Sequence, residues 1–150
     1  MNKQKLQTDL DFGFRSETTA TKYLEEFFEC ILYNTRIDDG DQYNKFDYRG
    51  DIGKVEIKTR RCKFGDYPDL QFELGKIEDG LTFLEENPDK KCYFVWRCIH
   101  NGWGKEGFYY WELKPQSREW FKGEGGRFDR GKDEWKILAK IKNEHIMKMF

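Results

Sequence analysis

Apolar residues recur at helical spacing early in the chain. Ala20, Tyr23, Leu24, Phe27, Phe28 and Ile31 mark one face, and Ser16 stands where its hydroxyl can cap the first turn. The pattern predicts an amphipathic helix over Ser16 to Cys30 with an apolar face to bury. The period then changes. Ile31 to Ile37 reads as a strand, Asp38 to Asp41 as an acidic, glycine-bearing turn, and Tyr43 to Arg49 alternates Tyr and Phe with polar residues. Across the break Arg49-Gly50-Asp51-Ile52-Gly53 the alternation resumes from Lys54 to Arg60, so these two segments are expected to form a β-hairpin.

Lys63 to Tyr67, followed by Pro68, reads as a loop. A second helix is expected over Ile77 to Asn87, with Ile77, Leu81, Phe83 and Leu84 apolar, Pro88 beyond its end and Gly80 lowering its propensity. Cys92 to Ile99 is rich in aromatic and β-branched residues and predicts a strand. Phe108 to Leu113 predicts another, after the glycine-rich turn Asn101 to Gly107. Lys114 to Lys136 is expected to be a long polar loop with one short element near Trp120, serving as a lid or a binding arm. Trp135 to Phe150 is expected to be a strand and then a short helix or tail. The order helix, strand, strand, strand, helix, strand, strand predicts an α/β fold with one mixed central β-sheet flanked by helices. At 150 residues, without repeats, low-complexity tracts or linkers, the chain is expected to be a single domain over 1–150, with a core at about 14–113 and a C-terminal extension over 114–150.

Charged and hydrophobic residues each make up 37% of the chain, and the 17% aromatic content supplies large pieces of core, which excludes a disordered polymer. A net charge of -1 removes any overall attraction to polyanions or anionic membranes, so a phosphate-binding surface has to be local. Such an excess exists between Lys54 and Lys63, where Lys54, Lys58, Arg60, Arg61 and Lys63 meet one acid, Glu56. Cys30, Cys62, Cys92 and Cys98 lie far apart, with no C-x-x-C pair and no histidine at finger spacing, which argues against zinc and for free thiols in a reducing compartment. No apolar run approaches a membrane span, and Met1 to Phe14 lacks the apolar stretch of a signal peptide. The expectation is a cytoplasmic protein, or a nuclear one in a eukaryotic host, and not a secreted one.

Candidate chemistry follows from the hairpin. The period of two puts Val55 and Ile57 on a core face and sends Glu56 and Lys58 together to the other. If the hairpin is symmetric about the bond between Asp51 and Ile52, Asp47 lies across from Glu56, while Phe46 and Tyr48 oppose Ile57 and Val55. Facing carboxylates are unfavourable unless a cation or proton sits between them. Mg²⁺ resolves the conflict, because it binds through one or two carboxylates plus waters and phosphate oxygens. Such an ion polarises a phosphate and activates a bound water, and an adjacent ammonium can orient that nucleophile or stabilise phosphoryl charge. The alternative is a solvated hairpin face laced with exposed ion pairs.

Asp47 followed by Glu56-Ile57-Lys58-Thr59-Arg60, in an order of helix, three strands, helix and strand over roughly Phe14 to Ile99, resembles the PD-(D/E)XK nuclease superfamily, the restriction-endonuclease-like fold shared with many Holliday junction resolvases. The resemblance implies that Asp47 and Glu56 bind Mg²⁺ or Mn²⁺ and that Lys58 is catalytic. A further metal-binding glutamate on the first helix, after a glycine, would be Glu17 following Gly13, with Glu25 and Glu26 as weaker candidates. Phe46 stands where the name-giving proline would precede the aspartate, a departure the family tolerates.

Glu17 also reads as a favourable acid in the first turn of a helix. Arg60, Arg61 and Lys63, leaving the proposed catalytic strand, are expected to hold phosphates rather than be merely solvated. Gln71 is a candidate accessory polar group. His100 and His145 are isolated and read as structural or exposed. The five tryptophans read mainly as core, with Trp103 and Trp120 placed to stack on unpaired bases. No phosphate-cradling glycine loop, nucleophile elbow or dinucleotide fingerprint is present. The expectation is a metal-dependent endonuclease of resolvase or restriction type acting on DNA, as a homodimer for a two-strand cut. The alternatives are a catalytically inactive nucleic-acid-binding or protein-inhibitory module on the same fold, and an RNA-processing nuclease, since the same chemistry cuts either backbone.

Overall fold

Strand pairing on either side of one tight turn sets the frame. In the computed structural model, which describes residues 20–40, 46–101, 104–115, 121–128 and 135–150, β2 (Tyr48–Gly50) runs antiparallel to β3 (Gly53–Arg60), with Tyr48 opposite Val55 and Gly50 opposite Gly53. The turn falls at Asp51 and Ile52, as the symmetric hairpin requires. Upstream, residues 20–28 form α1 and Tyr33–Asn34 forms the short β1, paired to β2.

Beyond β3 the chain makes β4 (Asp69–Glu73) and α2 (Leu74–Glu86), and returns as β5 (Lys91–Cys98) parallel to β3. Parallel neighbours need a crossover, and β4 with α2 supply it. The antiparallel β6 (Phe108–Leu113) and β9 (Met147–Lys148) complete a mixed six-stranded sheet in the order β1-β2-β3-β5-β6-β9. Strand β5 is buried from Cys92 to Cys98, as expected where both faces of a central strand are covered.

Two apolar layers do the covering. On one face Ala20 and Leu24 of α1 pack with Tyr48, Val55, Ile57, Tyr93, Val95 and Phe108. On the other, α2 contributes Ile77, Leu81 and Leu84 against Phe94, Trp96, Trp111 and Leu113. Gly80 explains the close seat of α2, since a Cβ there would stand 2.7 Å from the Leu113 side chain and 3.1 Å from Cys92 Sγ. The protein is therefore an α/β domain with a mixed six-stranded sheet flanked by two helices, and among the described residues no helix is long and apolar enough to cross a membrane.

Several expectations need correction. One sheet was expected, but β4, β7 (Phe121–Phe128) and β8 (Trp135–Lys142) form a second, in the order β4-β8-β7. Leu70 and Phe72 of β4, with Ala139 and Ile141 of β8, join the α2-side layer. Residues 121–128 are thus a strand rather than part of a loop over Lys114 to Lys136. Their glycines and charges carry no local strand signal, and pairing with β8 overrides propensity. The strand expected over Ile31 to Ile37 shrinks to Tyr33–Asn34 because Asn34 and Asp38 capture the backbone. Asn34 Oδ1 accepts from the N–H groups of Arg36 and Ile37, and Asp38 Oδ2 accepts from that of Asn34. Tyr43 to Lys45 and the Ser16 cap lie outside the described residues. Phe46 does not share a face with Ile57: the chain bends before β2, and the ring joins the α2-side layer, 6.2 Å from Phe94.

Gly53 closes the hairpin with φ +136, and a Cβ there would run into the Lys91 carbonyl oxygen. Gly53→Ala is expected to cost about 3 kcal/mol, the upper range for a strained backbone position. Urea unfolding of the two proteins, compared at equal slope, checks this.

Candidate active site

The β2–β3 register, continued one residue past Tyr48, sets Asp47 across from Glu56. Thr35 holds this stretch in place: its N–H donates to the Asp47 carbonyl at 2.9 Å and its hydroxyl to the Phe46 carbonyl at 2.7 Å. Asp47 Oδ2 in turn accepts the Ile57 N–H at 3.0 Å. An anchored carboxylate thus takes a donor from β3 beside Glu56.

The carboxyl groups of Asp47 and Glu56 lie within hydrogen-bonding reach of each other. Glu56 is buried, between the sheet and the layer over it. Burial first, and then the neighbouring Asp47, push the Glu56 carboxyl well above its usual range, against the pull of a nearby ammonium. That ammonium belongs to Lys76 near the start of α2, whose Nζ donates to Glu56 Oε2 at 3.0 Å. Burial works against the Lys76 charge, yet Glu56, Asp47 and Glu73 together hold it above the ordinary lysine range. Lys58, two residues along β3, shares the Glu56 face, with its Nζ 5.8 Å from the centre of the Phe72 ring. Asp47, Glu56 and Lys58 therefore lie on one side of the sheet, under α2 and β4.

Lys76 was missed by sequence reasoning, which began the second helix at Ile77. It lies 20 residues from Glu56, and no local pattern joins them. The available signal was electrostatic: two facing carboxylates call for a cation, and the nearest helix start offered one.

Other candidates are placed differently. Glu17 lies outside the described residues, as do Trp103 and Trp120. Glu25 accepts the Leu32 N–H at 2.9 Å, and Glu26 pairs with Lys105 at 2.6 Å, so both are engaged away from the carboxylate pair. Arg61 and Lys63 are exposed just past β3, while Arg60 reaches the Gln71 carbonyl at 3.4 Å. Alternation turns the Gln71 side chain away from Leu70 and Phe72, and its carbonyl also accepts from Trp96 Nε1 at 3.1 Å. Gln71 thus ties β4 to the main sheet through its backbone. His100 is exposed, His145 lies 3.6 Å from Glu144, and Trp96 and Trp111 are core. All four cysteines are free, and burial pushes the Cys98 thiol up to about 12, which suits packing rather than nucleophilic attack.

Among the described residues no third His, Cys, Asp or Glu joins the pair to make a ready metal cluster. The donor set still suits Mg²⁺ or Mn²⁺, which take one or two protein carboxylates and complete their shell with water and substrate oxygens. Comparison of the chain with protein-family models, curated proteins and solved structures gives no match.

A buried acid whose proton is held above its usual range is most favourable to the fold when protonated. That contribution is complete below the ordinary value of 4.5 and is lost as pH rises through the raised value. In Glu56→Gln the amide donates to Asp47 and accepts from Lys76, so the repulsion disappears. Without divalent ions, Glu56→Gln is expected to match the parent protein near pH 4. At pH 8 it should exceed it by about 1 kcal/mol, or roughly 3 °C in melting temperature. Calorimetric melting temperatures across that pH range check the divergence.

Proposed function

We propose that this protein is a metal-dependent nuclease that hydrolyses DNA phosphodiester bonds, an endonuclease of the resolvase or restriction type. The observation that carries the reading is the β2–β3 register, which sets Asp47 beside the buried Glu56 on the sheet face that also bears Lys58. A purely structural sheet gains nothing from facing acids, and burying one of them beside the other costs stability. The succession α1, β1, β2, β3, α2, β5, with β4 inserted, agrees with the element order of the PD-(D/E)XK superfamily.

Asp47 and Glu56 would hold Mg²⁺ or Mn²⁺, which supplies Lewis acidity toward the scissile phosphate and lowers the pKa of a water. The Ile57 N–H fixes the Asp47 carboxylate so that it meets the ion without reorganising. Lys58, projecting from the same strand as Glu56, orients the attacking water or neutralises charge gathering on the phosphoryl oxygens. Arg61 and Lys63, exposed just past β3, and Arg60 with them bind phosphates flanking the cut and set the register of the strand. The same groups would act on RNA, so the substrate panel includes it. Two-strand cutting would use a homodimer, in the cytoplasm or nucleus.

Linear, nicked, branched and single-stranded DNA, with duplex RNA alongside, should be incubated in Mg²⁺ and in Mn²⁺. The parent protein is expected to cut at least one DNA substrate and to stop when chelator is added. Lys58→Ala and Glu56→Ala should lose about 100-fold or more of the rate, the scale of a lost transition-state contact, while circular dichroism stays native. An intact protein that cuts none of these in either ion would end the proposal.

A further inference from the structure

Lys58 and Lys76 serve the same carboxylate face from different supports. Lys58 projects from a strand at the centre of the main sheet. Lys76 reaches across from the first turn of α2 on a four-carbon stem, its side chain 30% exposed against 9% for Glu56. The Glu56 carboxylate is confined, whereas the Lys76 ammonium has solvent to retreat into.

Lys76 Nζ stands 3.0 Å from Glu56 Oε2, and the negative fields of Asp47 and Glu73 bear on it as well. An ammonium at that distance occupies the approach that a divalent ion would use to reach the same oxygen, and two cations there would repel strongly in a poorly hydrated seam. We propose that Lys76 is the resident counter-ion of the Asp47–Glu56 pair and must be displaced by the divalent ion, so that this lysine sets the metal affinity of the site. The inference rests on the nuclease reading for the identity of the incoming ion.

Charge balance gives the arrangement a use. The two acids can be matched by Lys58 and Lys76, so a divalent ion arriving alone leaves the face with excess positive charge. A phosphodiester brings the missing negative charge and offers the displaced ammonium a new partner. Metal and nucleic acid then load together, and the protein without substrate holds its ion weakly.

The test is Mn²⁺ binding to the full chain without nucleic acid, followed by the electron paramagnetic resonance signal of the free ion. Lys76→Met should tighten Mn²⁺ binding by about tenfold or more, within the range of coupling between linked sites. Lys76→Arg, which keeps a cation, should stay near the parent value, and Glu56→Gln should lose the site. Melting temperature gives a second readout: Lys76→Met should melt below the parent protein in chelator and gain more from Mn²⁺. Should Lys76→Met fail to fold, Lys76→Gln replaces it. Equal or weaker binding in the lysine variant, with loss in Glu56→Gln, overturns the displacement role and leaves the nuclease reading standing. Absence of saturable binding in every protein overturns both.

Discussion

Two carboxyl groups set side by side across a strand pair, one of them buried, are the constraint around which this fold is arranged. Side by side they repel, and burial raises the cost because the surroundings screen so little. Such an arrangement persists only where the rest of the structure holds it. Here the Asp51–Ile52 turn sets the strand register, Thr35 pins the chain at Phe46 and Asp47, and the Ile57 N–H fixes one acid beside the other. The Lys76 ammonium then relieves part of the repulsion from above.

The two faces of the main sheet answer different needs. Toward α1 the packing is mainly apolar and aromatic, with Tyr23, Phe27, Phe108 and Phe150 meeting edge to face and the buried Arg97 guanidinium set over the Phe108 ring. Toward α2 the cover is assembled from a helix and a second sheet, with Phe72 lying against both Phe94 and Trp96. The acids sit under the composite cover, which can supply a polar side chain from the helix start and backbone groups from β4. A continuous apolar layer could not hold Glu56 without such partners.

Much of the site was legible because it is local. The alternation from Lys54 to Arg60 and the glycines around Asp51 are enough to pair residue 47 with residue 56 and to place Glu56 and Lys58 on one face. The helices and central strands announce themselves by period and composition. What escaped detection is long-range. Lys76 reaches Glu56 only once α2 has crossed over β3, and β7 becomes a strand because β8 lies beside it, not because Phe121–Phe128 favours extension. The strand expected from Ile31 fails for the opposite reason: the Asn34 and Asp38 side chains offer the backbone a local turn that outcompetes the ladder.

The near-neutral charge of the chain bears on how such a site could act. With 27 basic and 28 acidic residues there is little long-range field to draw in a polyanion. The positive charge that could receive one is concentrated where β3 ends, at Arg60, Arg61 and Lys63, next to the strand that carries Glu56 and Lys58. Electrostatic attraction would therefore be felt only after a backbone has come within about a Debye length, near 8 Å at physiological salt. Binding built this way depends on what the site itself holds. On the proposed reading, a face whose acids already hold the Lys76 ammonium would gain attraction for phosphate only when a further cation enters, so that affinity for substrate and occupancy by metal would become one equilibrium rather than two.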